Sequence, residues 1–352
     1  MAPKFITKGT RTFIYDPTAP YPLPVDLAES HRQSLLTLTL TQLYGGPLIS
    51  ASEMKSPPRR VLELGCGSGY WSMMCHQFLT ARGHPDVSFV GIDVVVPPDV
   101  AAIPDNGMDW TFVEHDMRRV PWPLESGEFD LLMVKDMSLA FTSLQYVVAM
   151  EECLRVLKPG GILEMWETDS TIRVLQPHEP KHGGVKRGSE SWSPAAKLGA
   201  YSIDADANTP LGPPLNKYFA EYNSWVAKAL EKRELTPMPC AMVGPRLVQE
   251  ADVLTVLTSR RLAIPLSEIK WERGRVLDGH QAAVRRTALE IVLGGISALE
   301  PLLREVSGKN QDEWEVWFGN MTQDLMTEGG ACWGECLEVG AWIARKKDEM
   351  NV

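Results

Sequence analysis

The stretch Val61-Leu-Glu-Leu-Gly-Cys-Gly-Ser-Gly-Tyr-Trp71 reads as a strand, a tight turn and the first residues of a helix. Val61, Leu62 and Leu64 are apolar in the manner of a parallel strand covered on both faces. Gly65, Gly67 and Gly69 follow, with one residue between each. Glycine lets the backbone turn sharply and lets a ligand come close to the main chain. Trp71, Met74, Cys75, Phe78 and Leu79 then recur at helical spacing, and Gly83 can end that helix. The start of such a helix offers unpaired N–H groups at the turn.

Spacing narrows the choice of ligand. A dinucleotide fingerprint is G-x-G-x-x-G, whereas Tyr70 stands where its third glycine would be. Glu63, inside the strand, would repel a pyrophosphate and suits a ligand carrying an ammonium group. Taken by themselves the glycines also fit an ordinary turn between strand and helix. The whole E-x-G-x-G-x-G form resembles motif I of the class I S-adenosylmethionine (SAM) methyltransferases.

Downstream, Val87–Asp93 reads as a second strand ending on an acid. Asp93 can accept both hydroxyls of a ribose, or cap a turn, and Val94, Val95 and Val96 can pack on an adenine face. A third strand, Asp109–Asp116, also ends on an acid. Asp116 can take an adenine amino group while the Met117 N–H donates to the ring. Gly127–Asp136 is a buried fourth strand closing on Lys135-Asp136, and Leu144–Leu157 is a helix with one broad apolar face. Lys158-Pro-Gly-Gly161 stops that helix and turns the chain into a fifth strand, Ile162–Glu167. On this reading strands and helices alternate five times, with ligand sites at the carboxyl edge of the sheet.

Leu154-Arg-Val-Leu-Lys-Pro-Gly-Gly-Ile-Leu163 is also typical of class I methyltransferases, so the resemblance runs over residues 61–167. It implies an α/β fold, a Rossmann-like doubly wound seven-stranded sheet with an N-terminal helical segment and a helical insertion near the C-terminus. It implies SAM as cofactor, held by Glu63, Gly65, Cys66, Gly67, Gly69, Asp93, Val94, Asp116, Met117 and Lys135. Trp166, Glu167 and Tyr201 are expected on the substrate side.

Upstream, residues 1–24 look loop-like, and Asp26 looks like a helix start. That helix either packs beside the sheet or forms a lid over cofactor and substrate. Tyr21-Pro-Leu-Pro-Val-Asp26, followed by His31-Arg32 and then the core, is similar to the fungal LaeA-like methyltransferase group. The C-terminal layout is similar too: a strand near Ile264-Pro-Leu266, helices from Gln281 to Met326, and a last strand over Cys332–Ile343. Trp314, Trp317 and Phe318 in those helices suit core packing first and an acceptor wall second. The long polar segment Gln176–Pro214 departs from the group; it reads as a surface loop or a substrate lid. The expected units are an extension over 1–58, a cofactor core over 59–175, a loop and helical insertion with strand six over 176–330, and a last strand with tail over 331–352.

The 352 residues are 44% hydrophobic and 23% charged, with a net charge of −10. That balance is ordinary for a globular protein and disfavours nucleic acid and anionic lipid. No apolar run would span a bilayer, and no signal-peptide core opens the chain. Six scattered cysteines without a C-x-x-C pair fit reduced thiols in a cytosolic or nuclear protein. No metal is expected, since His178 and His182 lack a third ligand. Val134-Lys-Asp-Met137 replaces the N-P-P-Y-type tetrapeptide of adenine N-methyltransferases, which argues against DNA amino-methylation. A general base is needed only where the acceptor is a protonated oxygen or nitrogen. Asp136, Glu167, His178 and His182 are candidates, none singled out by a motif, so no catalytic residue is assigned. Two functions stay open. One is methyl transfer to a small-molecule acceptor of the secondary-metabolite type. The other is a LaeA-like regulatory role in fungal secondary metabolism or development through protein partners, with or without protein methylation.

Overall fold

The computed structural model describes residues 5–95, 107–177, 194–203, 211–272, 276–327 and 329–348. His178 and His182 of the long polar segment, and Val96, lie outside these ranges. The chain opens on a hairpin, β1 (Phe5–Lys8) and β2 (Arg11–Ile14), where the sequence suggests only loop. Helix α1 (Leu27–Tyr44) follows, then β3 (Arg60–Leu64), α2 (Tyr70–Thr80), β4 (Ser88–Asp93), β5 (Asp109–Glu114), β6 (Phe129–Lys135), α3 (Ser143–Val156) and β7 (Leu157–Thr168). The second half holds β8 (Arg173–Leu175), α4 (Pro194–Lys197), β9 (Tyr201–Ser202), β10 (Leu211–Gly212), α5 (Lys217–Glu231), α6 (Val243–Gln249) and β11 (Leu254–Pro265). Three helices, α7 (Gly279–Ala298), α8 (Glu300–Ser307) and α9 (Gln311–Met326), precede β12 (Glu335–Lys346).

The long strands run in the order β5-β4-β3-β6-β7-β12-β11. β5, β4, β3, β6 and β7 are mutually parallel, and β12 lies antiparallel to both β7 and β11. The short strands β8, β9 and β10 bring the sheet to ten strands. Both faces are covered. Val61, Phe89, Leu131, Met133 and Ile162 point into a core shared with α1, α2, α5, α7, α8 and α9. Leu62, Leu64, Val90, Leu132 and Leu163 point the other way, against α3 and α6. The alternation along each strand is what a sheet buried on two faces requires.

Two expectations need correction. Helices do not alternate with strands five times: residues 115–128 between β5 and β6 hold turns and no helix. Pro121 and Pro123 lack the N–H groups a helix would use. Lys158-Pro-Gly-Gly161 is not a separate turn either. It lies inside β7 as an irregularity, with Phe129 opposite Leu157 and Leu131 already opposite Ile162. Gly160 takes a φ of +74°, which accommodates the extra residues.

α1 starts where Asp26 caps it: the carboxylate accepts from the Glu29 N–H at 3.0 Å. A cap of this type contributes about 1 kcal/mol. Arg11 of the hairpin grips the same carboxylate through Nε at 2.7 Å and Nη2 at 3.0 Å. The N-terminal hairpin, the segment 15–26 and α1 are thus fastened together beside the sheet.

Candidate functional site

Five parallel strands end at one edge, so Gly65, Asp93, Asp116, Asp136 and Glu167 are brought to the same side by topology. A cavity of about 530 Å³ opens there. Residues 14–36 of the N-terminal segment contribute to its lining, as do α5, α7 and Leu337 of β12.

Gly65, Gly67 and Gly69 have φ of +65°, +49° and +70°, a region that other residues seldom enter. A Cβ on Gly65 would meet Met137 Sδ at 2.2 Å. At Gly67 the space is open, with only Gln33 Oε1 within 4 Å, at 3.8 Å. The Gly67 N–H donates to Asp93 Oδ2 at 2.8 Å, and the Val94 N–H to Oδ1 at 2.7 Å. Burial raises the Asp93 carboxyl above its ordinary range, against these three backbone donors, Val95 included. Gly65, Gly67, Asp93, Val94, Asp116, Met117, Lys135 and Glu167 all line the cavity.

Asp116 is already gripped. Arg118 donates from Nε to Oδ1 and from Nη2 to Oδ2, each at 2.9 Å. The same Nη2 reaches Asp16 Oδ2 at 2.6 Å. Arg118 therefore ties the end of β5 to the segment that precedes α1, and holds the Asp16 carboxyl down at about 2. Each carboxylate oxygen has two lone pairs, so Asp116 keeps capacity for a further donor.

At the end of β6 the Lys135 ammonium sits 3.2 Å from Asp136 Oδ2. Asp136 takes a φ of +51°, and its N–H donates to the Trp166 carbonyl at 2.9 Å. Its Oδ1 is buried without a partner among the described residues. Beside it Glu167 accepts from the Ser138 N–H at 3.1 Å and from Ser138 Oγ at 2.8 Å. Burial, and next the charge of Asp136, push the Glu167 carboxyl up to about 8.

Five of the residues read from the sequence are not in the cavity wall. Glu63 turns to α2, where its Oε2 accepts from Ser72 Oγ at 2.6 Å; burial lifts it to about 7. Cys66 is buried, and Gly69 starts α2 with Trp110 3.2 Å from where its Cβ would be. Trp166 is fully buried, its Nε1–H donating to Glu164 Oε1 at 2.9 Å and its ring packed on Tyr44. A substrate role for it is corrected to a core role, because its side of β7 faces α1. Tyr201 sits on β9, paired to β11, with its hydroxyl bonded to Glu272. That also removes it from the substrate side. Sequence reading missed Asp16, Glu29 and Arg32, and the apolar wall of Ile291, Val292 and Leu299. The Y-P-L-P-x-D segment was the available signal for the first group, with Arg32 quoted beside it only for the resemblance. Among the described residues Asp169, Cys240 and Glu338 form a group of metal-ligand type. Arg173 and Arg261 both pair with Glu338, so the charge there is already balanced.

A family model described as Methyltransferase domain matches residues 61–161. The Secondary metabolism regulator laeA of Coprinopsis cinerea is 32% identical over 159 residues, which cover 43% of this chain and 36% of that protein. The chain thus spans about a third of the length of that relative. Among solved structures, a Pyrococcus horikoshii OT3 protein is 26% identical over 38% of this chain and 54% of its own, at a TM-score of 0.30. The plantazolicin methyltransferase in complex with a monoazolic desmethylPZN analog and S-adenosylhomocysteine (SAH) is 9% identical over 91% of this chain and 87% of its own, at 0.41. Superpositions this loose carry no argument about activity. The residues fit SAM on their own account: an open cradle at Gly67 that a Cβ would fill, and the Asp93 carboxylate with lone pairs to spare. Residues 61–161 therefore match a methyltransferase domain, and the residues around Gly67 and Asp93 fit SAM as its cofactor.

Proposed function

We propose that the chain transfers a methyl group to a small, largely apolar acceptor that carries a hydroxyl or N–H group. The observation that carries this reading is the continuity of one cavity. It is lined by Gly65, Gly67 and Asp93 and also by the apolar Leu36, Ile172, Ile291 and Leu299. Asp136 lines the same cavity, with its Oδ1 free to accept a proton. When bound, SAM supplies an electrophilic methyl on a sulfonium. The chain's own residues do the rest. Asp93 and the backbone at Gly67 orient the nucleoside end. The apolar wall excludes water and orients the acceptor. Asp136 Oδ1 takes the proton, with the Lys135 ammonium 3.2 Å from Oδ2. Glu167, neutral at pH 7 because it is held up at about 8, adds no second negative charge beside it.

Conversion of SAM to SAH in the presence of a panel of phenols and secondary amines tests this reading. Asp136→Asn should lower kcat by about 10²–10⁴-fold, the usual weight of a positioned base, and leave SAM affinity within a factor of about two. Asparagine tolerates the left-handed backbone, so the fold should survive the change. Full activity in that variant would remove Asp136 from the mechanism.

A second reading draws on the relative's printed role as a regulator of secondary metabolism. On that reading the chain binds SAM and acts through a protein partner. Absence of turnover with every small acceptor, together with a SAM-dependent partner complex, would favour it.

A further inference from the structure

Arg32 reaches the cavity from α1, its side chain only 17% exposed. Glu29, one turn earlier, grips the guanidinium by two bonds, from Nε at 2.9 Å and from Nη2 at 2.5 Å. That fork leaves Nη1, for which no acceptor stands within hydrogen-bond distance among the described residues. Across from it runs α7, with two glycines in succession. A Cβ on Gly294 would come to 3.1 Å from Arg32 Cδ, and one on Gly295 would stand 4.0 Å from Nη1. Gly295 also lines the cavity, so a longer side chain there would take up the room beside Nη1.

Charge decides what that nitrogen selects. A lone guanidinium recognises a carboxylate or phosphate. Here Glu29 already pairs with it and Asp136 adds a second negative charge nearby, so the remaining N–H suits an uncharged oxygen. The surroundings, Leu36, Ile291, Val292 and Leu299, call for an apolar body. Asp136 Oδ1, lining the same cavity, calls for a donor.

We propose that Arg32 selects the acceptor by donating from Nη1 to a carbonyl oxygen of an apolar molecule whose hydroxyl is presented to Asp136. The proposal rests on the methyltransferase reading above. It makes Glu29 the residue that sets the preference for a neutral ligand, by holding Arg32 and cancelling its charge.

SAH-saturated protein should be titrated by calorimetry with 6-acetyl-2-naphthol and with 6-ethyl-2-naphthol, which keeps the shape and lacks the carbonyl oxygen. The acetyl compound should bind about ten-fold tighter or better, as expected for a hydrogen bond to a charged donor. The double variant Glu29→Gln, Arg32→Met removes both charges and leaves none stranded. It should bring the two naphthols to within about two-fold of one another and leave SAH affinity unchanged. Gly295→Leu, which leaves the ion pair intact, should abolish binding of both naphthols and spare SAH. Equal binding of the two naphthols by the unmodified protein, or no binding of the acetyl compound, would overturn the proposal. So would a ten-fold loss of SAH affinity in the double variant, which would place Arg32 on the carboxylate of the cofactor. Failure of the unmodified protein to bind SAH is a separate result and would remove the cofactor reading itself.

Discussion

Asp93 is organised before a ligand arrives. Three backbone N–H groups, those of Gly67, Val94 and Val95, fix its carboxylate at the end of β4. It therefore loses little freedom on meeting a ribose. Asp93→Ala should weaken SAM and SAH alike by about ten- to a hundred-fold, the cost of one charge-assisted hydrogen bond. Gly67→Val should also abolish binding, for a different reason. A β-branched residue at a φ of +49° is strained, and its side chain would enter the cradle. Calorimetry with SAH, beside circular dichroism of each variant, separates lost binding from lost fold. Unchanged affinity in both would remove the turn from the cofactor site.

Among the elements, the segment between β2 and α1 has the greatest bearing on ligand exchange. Asp16 and Arg118 join it to β5, while Arg11 and Asp26 join it to α1. The Asp16 carboxylate is about a third exposed, so the pair contributes at most about 1 kcal/mol. Asp16→Ala should accordingly speed SAH release by about two- to five-fold, and 0.5 M salt should do the same to the unmodified protein. Stopped-flow displacement of SAH measures both; release insensitive to the variant and to salt would mean that this wall does not gate the site. The pairing also shows where sequence reading stops. Asp26 as a helix cap and Gly67 as a turn are matters of local spacing and were legible. Arg118 and Asp16 lie 102 residues apart, and nothing in either neighbourhood names the other. Glu63 lies off the cavity wall for a related reason: strand alternation says which face a residue occupies, not that Ser72 waits there to bond it. Trp166 and Tyr201 were placed by proximity to strand ends in the chain, which does not tell a cavity wall from a core.

At the scale of the whole molecule, buried carboxyls make the pH dependence of stability unusual in sign. Glu63 and Glu167 are raised from 4.5 to about 7 and about 8, in each case chiefly by burial. A raised carboxyl holds its proton in the folded chain after the unfolded chain has released it. The stability it confers is complete below about 4.5 and lost as pH rises through 7 and 8. Each group contributes a slope of about 1.4 kcal/mol per pH unit within its window. The melting temperature should therefore fall between pH 5 and pH 8, and Glu167→Gln should make that fall shallower throughout. A melting temperature that rises steadily over this range would show that both carboxyls ionise freely in the folded state. The doubly wound architecture itself was legible from five apolar runs and the acids that end the second and third. The hairpin β1–β2, the three short strands and the irregularity within β7 were not, because each depends on a partner distant in the chain.

β12 occupies the middle of the sheet, between β7 and β11. On the ribosome, both of its neighbours emerge before it does. Until residues 335–346 leave the exit tunnel, β7 presents an open edge and β11 has, among the described residues, only the two-residue β9 to pair with. Unpaired apolar strands of this kind recruit chaperones and aggregate. A stalled nascent chain ending at Gly330, carried clear of the tunnel by a flexible linker, should be cut by protease within β11. The same chain extended through Lys346 should resist. Order of synthesis, and not only the finished contacts, thus makes the last long strand the keystone on which the yield of this protein in cells depends.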